Sequence, residues 1–307
     1  MAIMEEWGWI ALSLFAVVMQ TMRTAAQKHI TKHLDAIGAT MVRFVCGLPF
    51  AAAFLAIVMV QGDLDLPPFN QDFVVFSTVA AIMQIVATVL LIYLFSLRNF
   101  AVGTTYARTE AFLTALVGSL FFGEMITVGG WASIMLSVAG VLVLTIARTD
   151  ALEGGTIFAR LWSKSALVGL GAGLAFAICS LSLRRASLSF GHDSYLFTAG
   201  MVLVSMIVIQ ITITGAYMMV KSRHQFAVIV RQWKLSWFIG LTSALGSIGW
   251  FVAMTLERAS YVKAFGQIEF LFALLISTFF FREKTSAMEL FGMILVASGI
   301  GLLLIWG

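Results

Sequence analysis

Charged residues, prolines and cysteines are scarce in this chain, and each shortage excludes a class of protein. Only 11% of the 307 residues are charged, against about 25% in a soluble domain, so the chain cannot cover a globule with solvated side chains. Three prolines exclude a proline-rich or collagen-like chain, and 61% hydrophobic residues exclude intrinsic disorder. Two cysteines cannot build a disulfide scaffold. The composition therefore predicts an integral membrane protein.

Long apolar runs make up most of the sequence. A spanning helix needs about 20 apolar residues, because the hydrocarbon core of a bilayer is about 30 Å thick. Runs of this length lie at 7–27, 38–60, 73–95, 100–122, 128–147, 165–186, 194–219, 232–255, 260–281 and 287–306. A membrane β-barrel would show alternating segments about half as long. The pattern predicts an all-α polytopic membrane protein with ten transmembrane helices.

An internal repeat divides the chain. When the sequence is aligned with itself at an offset of 159 residues, segment 97–146 lies on 256–305 without a gap. The alignment pairs two glutamates of each segment: Glu110 with Glu269, and Glu124 with Glu283. We therefore expect two five-helix repeats, 1–150 and 151–307. An odd number of spans per repeat makes the second repeat enter the membrane in the opposite sense, which is the inverted repeat of many secondary transporters.

The motifs around these glutamates resemble a known family. The first repeat reads Thr109-Glu-Ala-Phe-Leu-Thr-Ala-Leu and then Phe121-Phe-Gly-Glu124. The second reads Ile268-Glu-Phe-Leu-Phe-Ala-Leu-Leu and then Phe281-Arg-Glu283. The chain is similar to the drug/metabolite transporter superfamily, in its ten-helix EamA-like branch. This resemblance implies export or exchange of small metabolites. Ala111 and Phe270 stand where the family often has proline, so the resemblance implies no proline kink there.

Two glutamates are the first candidates for a functional site. Glu110 lies fourteen residues before Glu124, which ends the same predicted helix, and so about 21 Å along the helix axis from it. Glu269 has the equivalent place in the second repeat. A charge at this depth costs at least about 2.5 kcal/mol, so it should face a cavity, pair with another group or stay protonated. The alternative is that both glutamates only fix helix packing.

Basic and polar side chains extend the candidate substrate-binding site. Arg108 and Lys263 lie on the same two helices as the glutamates. Gln20 and Arg23 lie on one face of the first helix, because residues three apart share a face. Long basic side chains near a helix end can also reach the membrane interface without binding anything, and this alternative stays open.

A polar stripe recurs in helices three and eight. Gln84 and Thr88 lie one turn apart, and the offset of 159 residues carries them onto Ser243 and Ser247. Trp250 continues the second stripe. We expect these five residues to line one shared cavity. Small hydroxyl groups also bond between membrane helices for packing alone, so a structural role remains the alternative.

Signatures of enzymes and metal sites are absent from the sequence. It contains no Walker loop, HExxH motif, dinucleotide fingerprint or Cys/His cluster with ligand spacing. We expect no catalytic residue, no metal and no cofactor. The expected partners are a small-molecule substrate and membrane lipid, with coupling to protons as a further hypothesis and the oligomeric state open. The net charge of +4 belongs to residues flanking the membrane and does not indicate nucleic acid binding.

The distribution of basic residues predicts an orientation. The odd-numbered loops together with their adjoining helix ends hold twelve lysines and arginines, and the even-numbered loops with their helix ends hold four. The positive-inside rule then places the odd loops in the cytoplasm and both termini outside. Relatives in the EamA-like branch are usually described with both termini inside. The charge distribution is the basis of our prediction, for a protein of the inner (plasma) membrane.

The leading functional hypothesis is a secondary transporter, an exporter or exchanger of a small polar or amphiphilic metabolite that works by alternating access. A cavity with Glu, Arg and Lys suits a zwitterion or an organic anion better than a simple cation. The alternative is a lipid-handling or structural membrane protein with a laterally open cavity. A closed polar pocket would favour the transporter, and an apolar lateral slot would favour the alternative.

Overall fold

The computed structural model describes residues 2–97, 109–149, 164–269 and 286–306. Regular structure in these ranges is α-helical throughout. The helices in chain order are α1 Ala2–Ile30, α2 Ala36–Val45, α3 Leu48–Gly62, α4 Gln71–Leu97, α5 Glu110–Phe121, α6 Val128–Thr149, α7 Lys164–Leu188, α8 Tyr195–Lys221, α9 His224–Arg231, α10 Trp233–Leu256, α11 Ala259–Phe265 and α12 Ala287–Trp306.

Six helical segments within the described residues are long and apolar enough to cross a membrane. They are Trp7–Ile30, Ala36–Gly62, Gln71–Leu94, Leu167–Leu188, Tyr195–Lys221 and Trp233–Leu256. Shorter apolar helices, Glu110–Phe121, Val128–Val143 and Leu290–Trp306, coincide with three more predicted spans. The ninth predicted span, 260–281, lies partly outside the described residues. The prediction of an all-α membrane protein is confirmed, while ten spans and the inverted repeat stay predictions.

The second span is interrupted in its middle. Helix α2 ends at Val45, and α3 begins at Leu48 with Pro49 in its first turn. Proline lacks an N–H group, and its ring clashes with the carbonyl four residues earlier, which is that of Val45. Gly47 lies at the break, where an added Cβ would be 2.4 Å from the carbonyl oxygen of Arg43. Proline and glycine therefore set the break directly after the turn that carries Arg43.

The chain forms two compact units. The first comprises Met1–Val89 with Ile178–Glu257, and the second comprises Leu90–Ala177 with Arg258–Gly307. Each unit takes residues from both predicted repeats. The division into 1–150 and 151–307 is a division by sequence and stays a prediction.

In the first unit, α1 and α10 pack closely along small residues. A Cβ added at Gly249 would lie 2.9 Å from the Cβ of Ala16 and 2.9 Å from the carbonyl oxygen of Leu12. Gly246, one turn earlier in α10, faces Met19 of α1. Small residues let membrane helices approach this closely, and the gain is van der Waals contact. Helix α8 packs against α2, α3 and α10, so these helices surround a common interior.

In the second unit, α6 and α12 make a reciprocal contact. A Cβ added at Gly140 would lie 2.7 Å from the backbone nitrogen of Val296, and one added at Gly299 would lie 2.7 Å from that of Ser137. Gly140 and Gly299 are 159 residues apart, and so are Ser137 and Val296. Each helix thus presents the same two positions to the other, as in a contact across a two-fold axis.

Candidate functional site

A polar cavity lies within the first unit, between α2, α4, α8 and α10. Its lining residues are Arg43, Phe44, Gln84, Leu203, Ile207, Gln210, Ser243, Ala244 and Ser247. Each of the four helices contributes at least one polar side chain to the wall. The cavity has a volume of about 10 Å³, which is the room that one water molecule needs. Polar and charged side chains inside membrane helices generally mark substrate or ion pathways, so this cavity is the candidate substrate site.

Arg43 is the charged residue of the cavity wall, and only 3% of it is exposed. Its Nε donates a hydrogen bond to Ser243 Oγ, and its Nη1 donates one to Thr88 Oγ1, both at 3.1 Å. The guanidinium carbon lies 5.2 Å from the ring centroid of Phe44, within cation–π range. Within the described ranges no carboxylate pairs with Arg43. Neutral hydroxyl groups and an aromatic face therefore hold its charge.

The depth of Arg43 makes this arrangement costly. Seven residues, or about 10 Å of helix, separate it from Ala36, where the apolar segment begins. That distance places it within the hydrocarbon of a bilayer whose core is about 30 Å thick. A charged side chain in a membrane helix costs at least about 2.5 kcal/mol at the helix centre, and such residues generally mark substrate or ion pathways.

Two glutamines form the second polar group of the cavity. Gln210 Nε2 donates to Gln84 Oε1 at 2.8 Å and to the carbonyl oxygen of Ala81 at 3.3 Å. Gln210 is fully buried, and its Oε1 has no hydrogen-bond partner in the part of the chain that the structure describes. Leaving a buried acceptor unpaired costs about 1–3 kcal/mol. The cavity therefore offers an acceptor as well as the donors of Arg43.

Equivalent positions of the two predicted repeats meet at this cavity. Two pairs of lining residues are separated by the repeat offset: Gln84 with Ser243, and Phe44 with Leu203. The same offset relates Thr88, which bonds to Arg43, to Ser247 of the lining. Arg43 itself breaks the equivalence, since Val202 stands at the corresponding position. Equivalent residues of the two predicted repeats thus line the cavity, and Arg43 is the cation of the described lining.

The polar stripe predicted from helices three and eight lies partly at the cavity. Gln84, Ser243 and Ser247 line it, and Thr88 is bonded to a lining residue. Trp250 is not among the lining residues, and its Nε1 instead donates to Gln20 Oε1 at 3.0 Å. Two predicted site residues are thus hydrogen-bonded to each other, outside the lining of the cavity.

Arg23 of α1 and Arg184 of α7 lie in different settings. Arg23 is buried, with 9% of it exposed, and is close enough to act on Arg43 as a like charge. Arg184, in contrast, donates from Nη1 to the carbonyl oxygens of Met254 and Glu257. These carbonyls belong to the end of α10, where backbone acceptors have no partner within the helix. Arg184 therefore caps α10.

The second unit holds the other predicted site residues. Lys263 Nζ lies 2.6 Å from Glu110 Oε1, and the two side chains are 14% and 17% exposed. Gln267, one turn after Lys263, is 2% exposed, and its amide nitrogen and oxygen have no hydrogen-bond partner among the described residues. Glu269 follows two residues later and is half-buried. Arg108 lies outside the described residues.

Glu124, the second glutamate of the repeat, caps a helix. Its Oε1 accepts a hydrogen bond from the N–H of Ala259 at 2.9 Å. Its Oε2 accepts from the Ser260 hydroxyl at 2.8 Å and from the Ser260 N–H at 3.4 Å. The N–H groups of the first helical turn have no partner within the helix, so the carboxylate satisfies the start of α11. The equivalent Glu283 lies outside the described residues.

Sequence analysis did not select Arg43 or Gln210. The available signal was that Arg43 is the single charged residue between Asp35 and Asp63, in the middle of an apolar run. No repeat partner accompanies Arg43, since Val202 stands at the equivalent position. Gln210 is the single amide side chain of the seventh apolar run.

Comparison with known proteins agrees with this architecture. A solved structure described only as the crystal structure of a protein has a TM-score of 0.65 with this chain, at 14% sequence identity and over 96% of each chain. At this identity the likeness shows the fold alone. No curated protein matches the sequence. The EamA-like transporter family matches residues 7–146. Over this segment the chain is similar to the EamA-like transporter family, which is consistent with the predicted resemblance to the drug/metabolite transporter superfamily.

Proposed function

We propose that the protein is a secondary transporter, an exporter or exchanger of a small polar metabolite, and that the Arg43 cavity is its substrate site. The observation that carries the proposal is a buried cation, held by neutral groups, at a polar cavity among apolar spans. The EamA-like match supports transport as the class of function, since the members of that family are transporters. The substrate and the mechanism are our proposal.

The mechanism proposed is alternating access between two inverted five-helix repeats. The reciprocal contact of Gly140 and Gly299 supports a two-fold relation, because equivalent positions exchange partners. The cavity supports it as well, since its lining includes the equivalent pair Gln84 and Ser243. Transporters with inverted repeats bind substrate where the repeats meet. With room for about one water molecule, the cavity must widen for a metabolite to enter, as alternating access requires.

Contacts at the helix ends of the first unit agree with the predicted order of spans. Gln225 Nε2 donates to Asp35 Oδ2, which joins the first and seventh predicted loops. Asn70 Nδ2 donates to the carbonyl oxygen of Ser189 at 2.9 Å, which joins the second and sixth. Each of these two contacts joins loops that are separated by an even number of predicted spans, which supports the predicted order. We propose the inner (plasma) membrane, with the odd loops in the cytoplasm.

Transport can be tested with purified protein in liposomes that enclose an isotope-labelled extract of small metabolites. We expect some components to leave these vesicles faster than they leave protein-free vesicles. The matched variant is Ser247→Trp, since an indole ring would fill a cavity of about 10 Å³ and stop this efflux. Equal efflux from all three preparations would refute the proposed function.

A lipid-handling function is the rival outcome. It predicts an apolar slot, whereas Arg43, Gln84 and Gln210 make the described cavity polar. Vesicles that contain fluorescent short-chain lipids distinguish the two. Accelerated lipid exchange between leaflets, without metabolite efflux, would favour the rival.

Proton coupling through the repeated glutamates is the remaining part of the proposal. Glu110 forms an ion pair with Lys263, whose Nζ lies 2.6 Å from Glu110 Oε1. We expect at least one of the variants Glu110→Gln and Glu269→Gln to change the pH profile of transport. Glutamine keeps the shape and hydrogen bonding of the side chain but does not titrate. If both variants fold and transport with an unchanged pH profile, the two glutamates are packing residues.

A further inference from the structure

We propose that Arg43 and Gln210 select a small carboxylate with a neutral hydrogen-bond donor, such as a hydroxyl group, on the adjacent carbon. This inference rests on the proposed function and names its substrate class. It uses two features of one cavity: a buried guanidinium without an acidic partner, and a buried amide oxygen without a donor, both within the described residues.

The guanidinium selects an anionic group. Arg43 has five N–H donors, and those at Nε and Nη1 are directed at the hydroxyls of Ser243 and Thr88. In the described structure Nη2 has no hydrogen-bond partner. The planar fork of arginine matches a carboxylate better than a single-point donor does, and the interaction strengthens away from water. Among the buried residues that the structure describes in this unit, Arg23 and Arg43 are charged and none is acidic.

The amide oxygen selects a donor next to that anion. Gln210 Nε2 points at two acceptors, Gln84 Oε1 and the carbonyl oxygen of Ala81. This pattern fixes the orientation of the amide, because the reversed amide would place oxygen against oxygen. Gln210 Oε1 therefore remains an unpaired acceptor on a side chain that lines the cavity. A ligand with an N–H or O–H group at this point satisfies it.

A neutral donor fits better than an ammonium group. An ammonium would add a second positive charge beside the guanidinium of Arg43, which has no acidic partner within the described ranges. A hydroxyl group donates one hydrogen bond without adding charge. Arg43 and Gln210 line the same small cavity. We therefore place the two ligand groups on neighbouring carbons, as in a 2-hydroxycarboxylate.

Four probes with one three-carbon skeleton test the two selections separately. Lactate has both groups, propionate lacks the hydroxyl, lactamide lacks the negative charge, and alanine replaces the hydroxyl with an ammonium. Binding to the purified protein is measured by titration calorimetry, which avoids leakage of the neutral acids through vesicles. We expect lactate to bind at least about tenfold more tightly than each of the others, since losing a hydrogen bond to a buried group costs this much or more.

Two variants should remove one selection each. Gln210→Leu should erase the preference for lactate over propionate and keep the preference over lactamide. Arg43→Gln should erase the preference for lactate over lactamide. Arg43→Lys keeps the charge but loses the planar guanidinium, so it should retain the preference for lactate over lactamide with weaker binding. This variant provides the test if Arg43→Gln does not fold. Arg185→Gln is the matched control, because Arg185 is 56% exposed and pairs with Asp72 at 3.6 Å.

The outcomes separate this inference from the proposed function. No binding of lactate, tighter binding of alanine or lactamide, or unchanged preferences in Gln210→Leu and the Arg43 variants would overturn the substrate class. Efflux of other labelled metabolites from the vesicles would then still support a transporter. If 2-hydroxycarboxylates are the components that leave the vesicles, both conclusions are supported.

Discussion

Replacing Gly240 with alanine should part α10 from α2 and disturb the Arg43 site. Gly240 packs against the break in the second span, and an added Cβ would lie 2.4 Å from the backbone carbonyl carbon of Cys46. Ordinary contact begins at 3.4 Å, so the two helices must move apart by about 1 Å. The obstacle is backbone and cannot rotate away as a side chain could.

The expected cost follows from this displacement. Inserting a methyl group into a packed interior costs about 1–3 kcal/mol, and the better helix propensity of alanine offsets about 0.5–1 kcal/mol of it. Ser243 lies one turn after Gly240, on the same face. Its hydrogen bond from Arg43 is 3.1 Å long, and about 1 Å of added separation puts it beyond hydrogen-bond range. We therefore expect the variant to lose stability and to bind lactate more weakly.

Two measurements check this prediction. Thermal unfolding in detergent should occur at a lower temperature than for the wild type. In a Cys179→Ala background, Cys46 is the remaining cysteine, and its 7% exposure should rise enough for labelling by a maleimide. Gly301→Ala is the matched control, because an added Cβ there has no neighbour within 4 Å. If Gly240→Ala melts like the wild type and leaves Cys46 protected, the packing argument is wrong.

Three further predictions concern the second unit and the orientation. Glu124→Ala removes the cap of α11 and should lower the stability by about 1 kcal/mol. Glu124→Gln should lower it less, because its amide oxygen can still accept a hydrogen bond. Equal losses of stability in chemical unfolding would contradict the capping role. Lys263→Met should be less stable than the double variant Lys263→Met with Glu110→Gln, since the single variant leaves the Glu110 carboxylate without its cation. Additive effects in a double-mutant cycle would show that the pair is not coupled. Cysteines placed at Asp63 and Ser222 should label from opposite sides of the membrane, with Ser222 cytoplasmic, and the reverse result would overturn the charge-based orientation.

The membrane spans could be predicted because their signal is local. The bilayer requires about 20 consecutive apolar residues, and that requirement is met within a single stretch of chain. The runs at 7–27, 38–60 and 73–95 therefore have direct counterparts among the described helices. The break at Pro49 inside the second span had an equally local cause, a missing N–H and a ring clash, but sequence analysis did not use it.

The candidate site could be predicted only in part, because its contacts join distant segments. Gln84, Ser243 and Ser247 were found through the repeat, which relates positions without any structure. Arg43 and Gln210 have no such partner, since Val202 stands opposite Arg43 in the repeat. Their importance depends on what surrounds them, and a sequence does not show which buried charge lacks a counter-ion.

By itself the sequence determined a helical membrane protein, the position of its apolar runs, a repeat at an offset of 159 residues and the resemblance to the EamA-like branch. Apolar length and repetition are properties of the chain that hold wherever its helices pack. Only the tertiary structure decided that Arg43 bonds to hydroxyls, that Lys263 pairs with Glu110 and that Glu124 caps α11. The partners in these contacts are 45 to 200 residues apart in the chain, so helix packing determines which polar groups meet away from water.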